Sequence, residues 1–99
     1  MSNRERRQKR RRRIAKNSKN VRFEELRRLL EDYDFELKRT KGSHHSFVGY
    51  VGDEKVSIVI PFRRPLKEVY VKNVLAILEE IESLDVADDL EEGETEDDG

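Results

Sequence analysis

Residues 35–61 read FELKRTKGSHHSFVGYVGDEKVSIVIP, and the way this run alternates decides the fold. Phe35-Glu36-Leu37 opens it apolar, polar, apolar. A period of two predicts a strand, here over 35–41. Gly42-Ser43 is a turn signal. His44 to Val51 is aromatic and β-branched and predicts a second strand. Gly52-Asp53-Glu54 makes a hairpin turn, and Lys55 to Pro61 is a third strand with Val56, Ile58 and Ile60 on one face. Pro61 suits a strand end, where its missing N–H breaks no ladder. Connections this short join antiparallel neighbours, because parallel strands need a long crossover.

Outward from the strands the period changes. Phe23, Leu26, Leu29, Leu30 and Tyr33 recur at steps of three and four, with Glu24, Glu25, Arg27, Arg28 and Glu31 outside the stripe. That spacing predicts a helix over 23–33, whose early glutamates suit the positive end of the helix dipole. Residues 62–67, FRRPLK, read as a loop, and Val71, Val74, Leu75, Leu78 and Ile81 predict a second helix over 69–83. The order is α-β-β-β-α, an α+β class. It implies a three-stranded antiparallel sheet with two helices on one face, leaving the other face open beside basic loops.

Charge divides the 99 residues more sharply than hydropathy does. Residues 1–20 hold ten Lys/Arg against Glu5 alone, a net of +9, and residues 85–99 hold nine acids and no base, a net of −9. The formal net charge of −1 therefore conceals a dipolar chain. Self-repulsion and the scarcity of apolar residues predict a basic flexible arm over 1–20 and an acidic disordered tail over 85–99, around one folded domain at 21–84. Charges of this size are expected to attract each other. The arm reads either as a solvated tail or as a follower of nucleic-acid phosphates.

Several function classes are excluded or disfavoured. With no cysteine there is no disulfide scaffold, thiolate zinc site or cysteine catalysis, and the composition fits a reducing compartment. No apolar run approaches a membrane span, and the basic N-terminus lacks the apolar stretch of a secretory signal. A soluble, cytoplasmic protein without cofactor is expected. There is no phosphate-cradling Gly-rich loop, and no carboxylate constellation suggests a metal.

His44 and His45 are the candidates for chemistry. Neighbours on a strand point to opposite faces, so the pair cannot easily share a metal. If Phe47 faces the helices, so does His45, and His44 faces outward. Imidazole titrates near neutral pH and can take or give a proton without special tuning. In RNA a deprotonated 2′-hydroxyl attacks the adjacent phosphate. His44 could serve as the base for that step or as the acid for the leaving 5′-oxygen, with Lys38, Arg39 and Lys41 neutralising the phosphorane. Arg63 and Arg64, in the loop before the last helix, could grip the backbone. On residue type alone these same side chains read equally as a solvated basic surface, and a His at a strand start is more often a surface residue than a catalyst.

The stretch Arg39-Thr40-Lys41-Gly42-Ser43-His44-His45-Ser46-Phe47 resembles the signature of the HicA toxins of toxin–antitoxin pairs, a Gly-Ser-His turn followed by an aromatic strand. Asn20 to Leu26 is similar to one branch of that family, and the likeness runs from about Val21 to Ile81. The resemblance implies a double-stranded-RNA-binding-like fold, cleavage of mRNA without a cofactor or metal, and neutralisation by a HicB-like antitoxin. It puts the catalytic His at His44. The leading reading is a toxin-type endoribonuclease. The alternatives are a non-catalytic RNA-binding module of the same fold and a protein-interaction domain whose charged ends serve charged partners.

Overall fold

In the computed structural model, which describes the backbone of residues 3–98 and the side chains of residues 4–85, the apolar stripe of residues 23–32 becomes a helix with Phe23, Leu26, Leu29 and Leu30 buried. In chain order the elements are α1 (Asn3–Lys16), α2 (Phe23–Asp32), β1 (Glu36–Lys41), β2 (His44–Val51), β3 (Glu54–Pro61) and α3 (Glu68–Asp98). The helix–strand–strand–strand–helix order read from the sequence is the order of α2 to α3, and the fold is α+β.

α2 stops because Asp34 takes a left-handed φ of 67°. Its N–H bonds to the Glu31 carbonyl while the Phe35 N–H reaches back to the Leu30 carbonyl. This Schellman arrangement satisfies two orphan carbonyls and turns Phe35 into the core beside Leu30. Phe35 lies flat against β2. A Cβ at Gly49 would stand 2.5 Å from its ring, so only glycine admits the contact.

The strands lie in the order β1-β2-β3, all antiparallel. Each hairpin turn holds two residues, Gly42-Ser43 and Gly52-Asp53, with positive φ at the glycine alone. That pattern takes glycine first and matches the twist of the flanking strands. Residues paired across a ladder share a face. Leu37, Phe47 and Ile58 align on the inner face, as do His45 and Ile60. Phe47 and Ile60 are fully buried beneath α2 and α3, whose Leu26, Leu29, Val71, Val74 and Leu78 complete the core. The opposite face is open: Tyr50 is 59% and Val59 46% exposed.

Two stretches differ from the sequence reading. Residues 3–16, expected to form a flexible arm, make the helix α1 on the outer side of α2 and α3, with Ile14 only 2% exposed. Charge alone argued against packing, but the neighbouring helices answer it with carboxylates. Arg7 meets Glu82 at 3.3 Å and also Asp85, Arg10 meets Asp32 at 3.2 Å, and Arg11 meets Glu79 at 3.6 Å. Gln8 donates to Glu82 at 2.9 Å, and the Tyr33 hydroxyl donates to the same carboxylate at 2.6 Å. Among the described residues, the expected attraction between the charged ends is met at Asp85, which pairs with Arg4 and Arg7; the other acids that meet α1 there are Asp32, Glu79 and Glu82. The acidic stretch, expected to be disordered, continues the α3 backbone to Asp98. A helix already nucleated propagates one residue at a time, and Glu and Leu favour it. Side chains beyond Asp85 lie outside the described residues.

Candidate nucleic-acid interface

The open sheet face is built by register. His44 lies opposite Lys41 on β1 and Pro61 on β3, so all three stand on one face. Directly opposite residues bring their Cβ atoms to about 4.5–5.5 Å. Arg39, Ser46 and Val59 form the next row, and Glu36, Val48 and Ser57 the row after it.

Strict alternation along β1 would separate the basic residues. With Leu37 inward, it would place Arg39 and Lys41 inward too. A bulge between Leu37 and Arg39 inserts Lys38 as an unpaired residue and shifts the parity by one. Lys38 also belongs to the open face, because its Nζ pairs with Glu36 at 2.7 Å. The Glu36 carboxyl is held below its ordinary range by the Lys38 hydrogen bond and charge, and the Lys38 ammonium is raised by the same partner. The bulge thus gathers Lys38, Arg39 and Lys41 on the side of His44, and all four are exposed. Nothing in the composition of ELKRTK announces a bulge, so the sequence named these residues without being able to say that they share a face.

The two histidines part as adjacent strand residues must. His45 turns inward and is half-buried, its ring 4.5 Å from that of Phe23 and 6.3 Å from that of Phe62. Its Nδ1 lies 3.0 Å from the Ser43 carbonyl, which makes Nδ1 the donor. His45 is therefore tied to the first turn of α2 and to the Gly-Ser turn, while His44 stands free in solvent. Phe62, which sequence reasoning left unmarked, closes this wall. Its N–H bonds to the Ser43 carbonyl at 2.7 Å, carrying the β2–β3 pairing into the loop.

Arg64 turns away from the His44 cluster. Arg64 lies over the Phe62 ring at 5.6 Å and turns toward α2, where it lines a cleft of about 650 Å³ with Asn20, Arg22, Arg28, Glu24 and Glu25. Arg63 is exposed in the same loop. Among the described residues there is no cluster of His, Asp and Glu able to hold a metal, and no helix is long and apolar enough to cross a membrane.

A three-stranded antiparallel sheet covered on one face by two helices and open on the other defines an α+β protein consistent with the double-stranded-RNA-binding-like fold. The sequence model of the family described as the HicA toxin of bacterial toxin-antitoxin matches residues 23–82, more than half of the chain, and the chain belongs to that family. The matched span covers α2, the whole sheet and the first half of α3, and it leaves out α1. Comparison with curated proteins and with solved structures returned no match. The chain is thus a member of a family of toxins from toxin–antitoxin systems.

Proposed function

We propose that this chain is a metal-independent endoribonuclease that cleaves mRNA and is held inactive by a HicB-like antitoxin covering the open sheet face. The observation that carries the reading is the shared face of His44, Lys38, Arg39 and Lys41, produced by the β1 bulge and the Gly-Ser turn. Family membership supports it.

The chemistry follows from that face. A phosphate lying on β1 and β2 meets three cations, which stabilise the additional negative charge of a phosphorane. The imidazole of His44 takes the proton of the 2′-hydroxyl, whose oxygen attacks phosphorus. The bond to the 5′-oxygen then breaks, and that oxygen leaves with a proton from solvent or from the imidazolium. The products are a 2′,3′-cyclic phosphate and a free 5′-hydroxyl, with no redox change and no co-reactant. Arg63 and Arg64, at the same end of the sheet, hold the backbone beyond the scissile bond. His45 positions the turn that carries His44.

The test is incubation of the purified chain with mixed RNA in EDTA, followed by end-group analysis. Cyclic phosphate and 5′-hydroxyl ends are expected from the wild type, with a rate lower by about 10²- to 10⁴-fold in His44→Ala. Salt-dependent RNA binding with no cleavage by the wild type would instead make the chain a non-catalytic RNA-binding module of the same fold.

A further inference from the structure

Seven of the nine basic residues of α1 fall into two sets. Arg7, Arg10 and Arg11 turn inward and are matched by carboxylates of α2 and α3. Arg6, Lys9, Arg13 and Lys16 follow one another at steps of three, four and three residues, which keeps them on one line of a helix. All four are exposed, and they carry no ion pair among the described residues. At a rise of 1.5 Å per residue the line spans about 15 Å. Like charges at these spacings repel each other, and Glu5, four residues before Lys9, is the one acid of α1 set against them, so an anion lying along the line would relieve the repulsion.

The line also leads somewhere. α1 runs antiparallel to α3, with Arg7 beside Glu82 and Asp85 and Arg11 beside Glu79. The Lys16 end therefore lies toward the start of α3, where Ser18 donates to Glu68 and the Leu66 N–H bonds to the Val21 carbonyl. The cleft lined by Arg22, Arg28 and Arg64, and also by Glu24 and Glu25, opens at that same end, with three cations against two carboxylates. Arg64 in turn lies on Phe62, which is bonded to the turn that presents His44. Basic groups thus follow one another from the open sheet face, around the end of the domain, to the outer face of α1.

We propose that the outer face of α1 is a second RNA contact, a rail for the phosphates of a strand that continues past the sheet face, with Arg22, Arg28 and Arg64 as the bridge. It rests on RNA being the ligand, as proposed above. The rail offers cations and no aromatic side chain, so it adds affinity and not base choice. Each phosphate it neutralises releases counterions, and the affinity it supplies falls steeply with salt.

The experiment measures equilibrium binding against salt in the full chain carrying His44→Ala, so that the RNA survives. A long RNA is compared with an oligonucleotide only long enough to cover the sheet face. Replacing Arg6, Lys9, Arg13 and Lys16 together with Gln is expected to weaken long-RNA binding and to flatten the log K against log salt slope by about 3, from four contacts at about 0.7–0.9 each. The short oligonucleotide is expected to bind as before, with the melting temperature unchanged or raised as the repulsion along α1 is removed. Lys9→Gln with Arg13→Gln, a milder variant, is expected to give about half the slope change. Removing charge elsewhere, by Arg27→Gln with Lys72→Gln, is expected to change the slope less per charge. If the parent binds long RNA and the fourfold variant binds it with the same affinity and slope, the rail is overturned. It is overturned equally if the variant alters only self-association or capture of an acidic protein segment. A parent that binds no RNA overturns the functional reading itself.

Discussion

His44 and His45 are the same residue type one position apart, and the pleat gives them opposite work. His44→Ala is expected to change stability by no more than a surface substitution does, about 0.5 kcal/mol, while cleavage is lost. His45→Ala is expected to do the reverse, with lower stability and a smaller loss of rate, because it removes the packing on Phe23 and the bond to the Ser43 carbonyl. Thermal melts beside RNA cleavage rates check both. A well-folded but inactive His45→Ala, with His44→Ala fully active, would refute the assignment. Asp34 offers a separate test. It holds the left-handed position after α2 with a side chain where glycine carries no steric penalty. Asp34→Gly is expected to stabilise the chain by about 0.5–1 kcal/mol, read as a raised urea midpoint at unchanged slope. A lower midpoint would show that the aspartate side chain supports the turn.

At the scale of elements, α1 is held by a polar clamp more than by apolar area. Glu82 is 8% exposed, accepts hydrogen bonds from Tyr33 and Gln8, and is ion-paired with Arg7. Burial works to raise its carboxyl, but the hydrogen bonds from Tyr33 and Gln8 and the charges of Arg7 and Arg11 outweigh it and hold the group below 4.5. Burial and the neighbouring carboxylate push the Tyr33 phenol up from its ordinary 10.0. The signs follow by linkage. The Glu82 contribution is complete above the unfolded-state value near 4.5 and is lost as pH falls through the lower folded value. The Tyr33 contribution is complete below 10.0 and is lost as pH rises beyond it. Glu82→Ala strands Gln8 and Tyr33, leaves Arg7 with Asp85, and is expected to cost about 3 kcal/mol, whereas Glu82→Gln is expected mainly to remove the acid-side dependence. Denaturant melts from acid to neutral pH measure both, and an equally acid-sensitive Glu82→Gln would assign the effect to another carboxylate.

For the whole molecule, the distribution of surface predicts where a partner sits. The helices bury one sheet face and α1 covers them from outside, so the accessible apolar and basic groups near His44 belong to the other face. A HicB-like antitoxin that blocks the proposed chemistry is expected to slow hydrogen exchange in β2 and in the Gly42-Ser43 turn, more than in α3. Protection confined to α3 would mean that inhibition works at a distance. Exposed Tyr50 and Val59 give such a partner apolar area to bury on the same face.

Much of this was legible in residues 23–83. The periods of two and of three to four residues gave the elements, their order and the placing of His45 with Phe47, because local periodicity states which side of an element is apolar. The Gly-Ser turn likewise located the start of β2. Two features had no local signal. The bulge at Lys38 is a property of how β1 pairs with β2, and it alone puts Arg39 and Lys41 on the side of His44. The packing of α1 rests on Asp32, Glu79, Glu82 and Asp85, which are distant in sequence from the arginines they meet. Read alone, ten positive charges in twenty residues argue for repulsion. Only the tertiary structure brings the opposing charges within reach, since Coulomb energy depends on distance in space and not on distance along the chain.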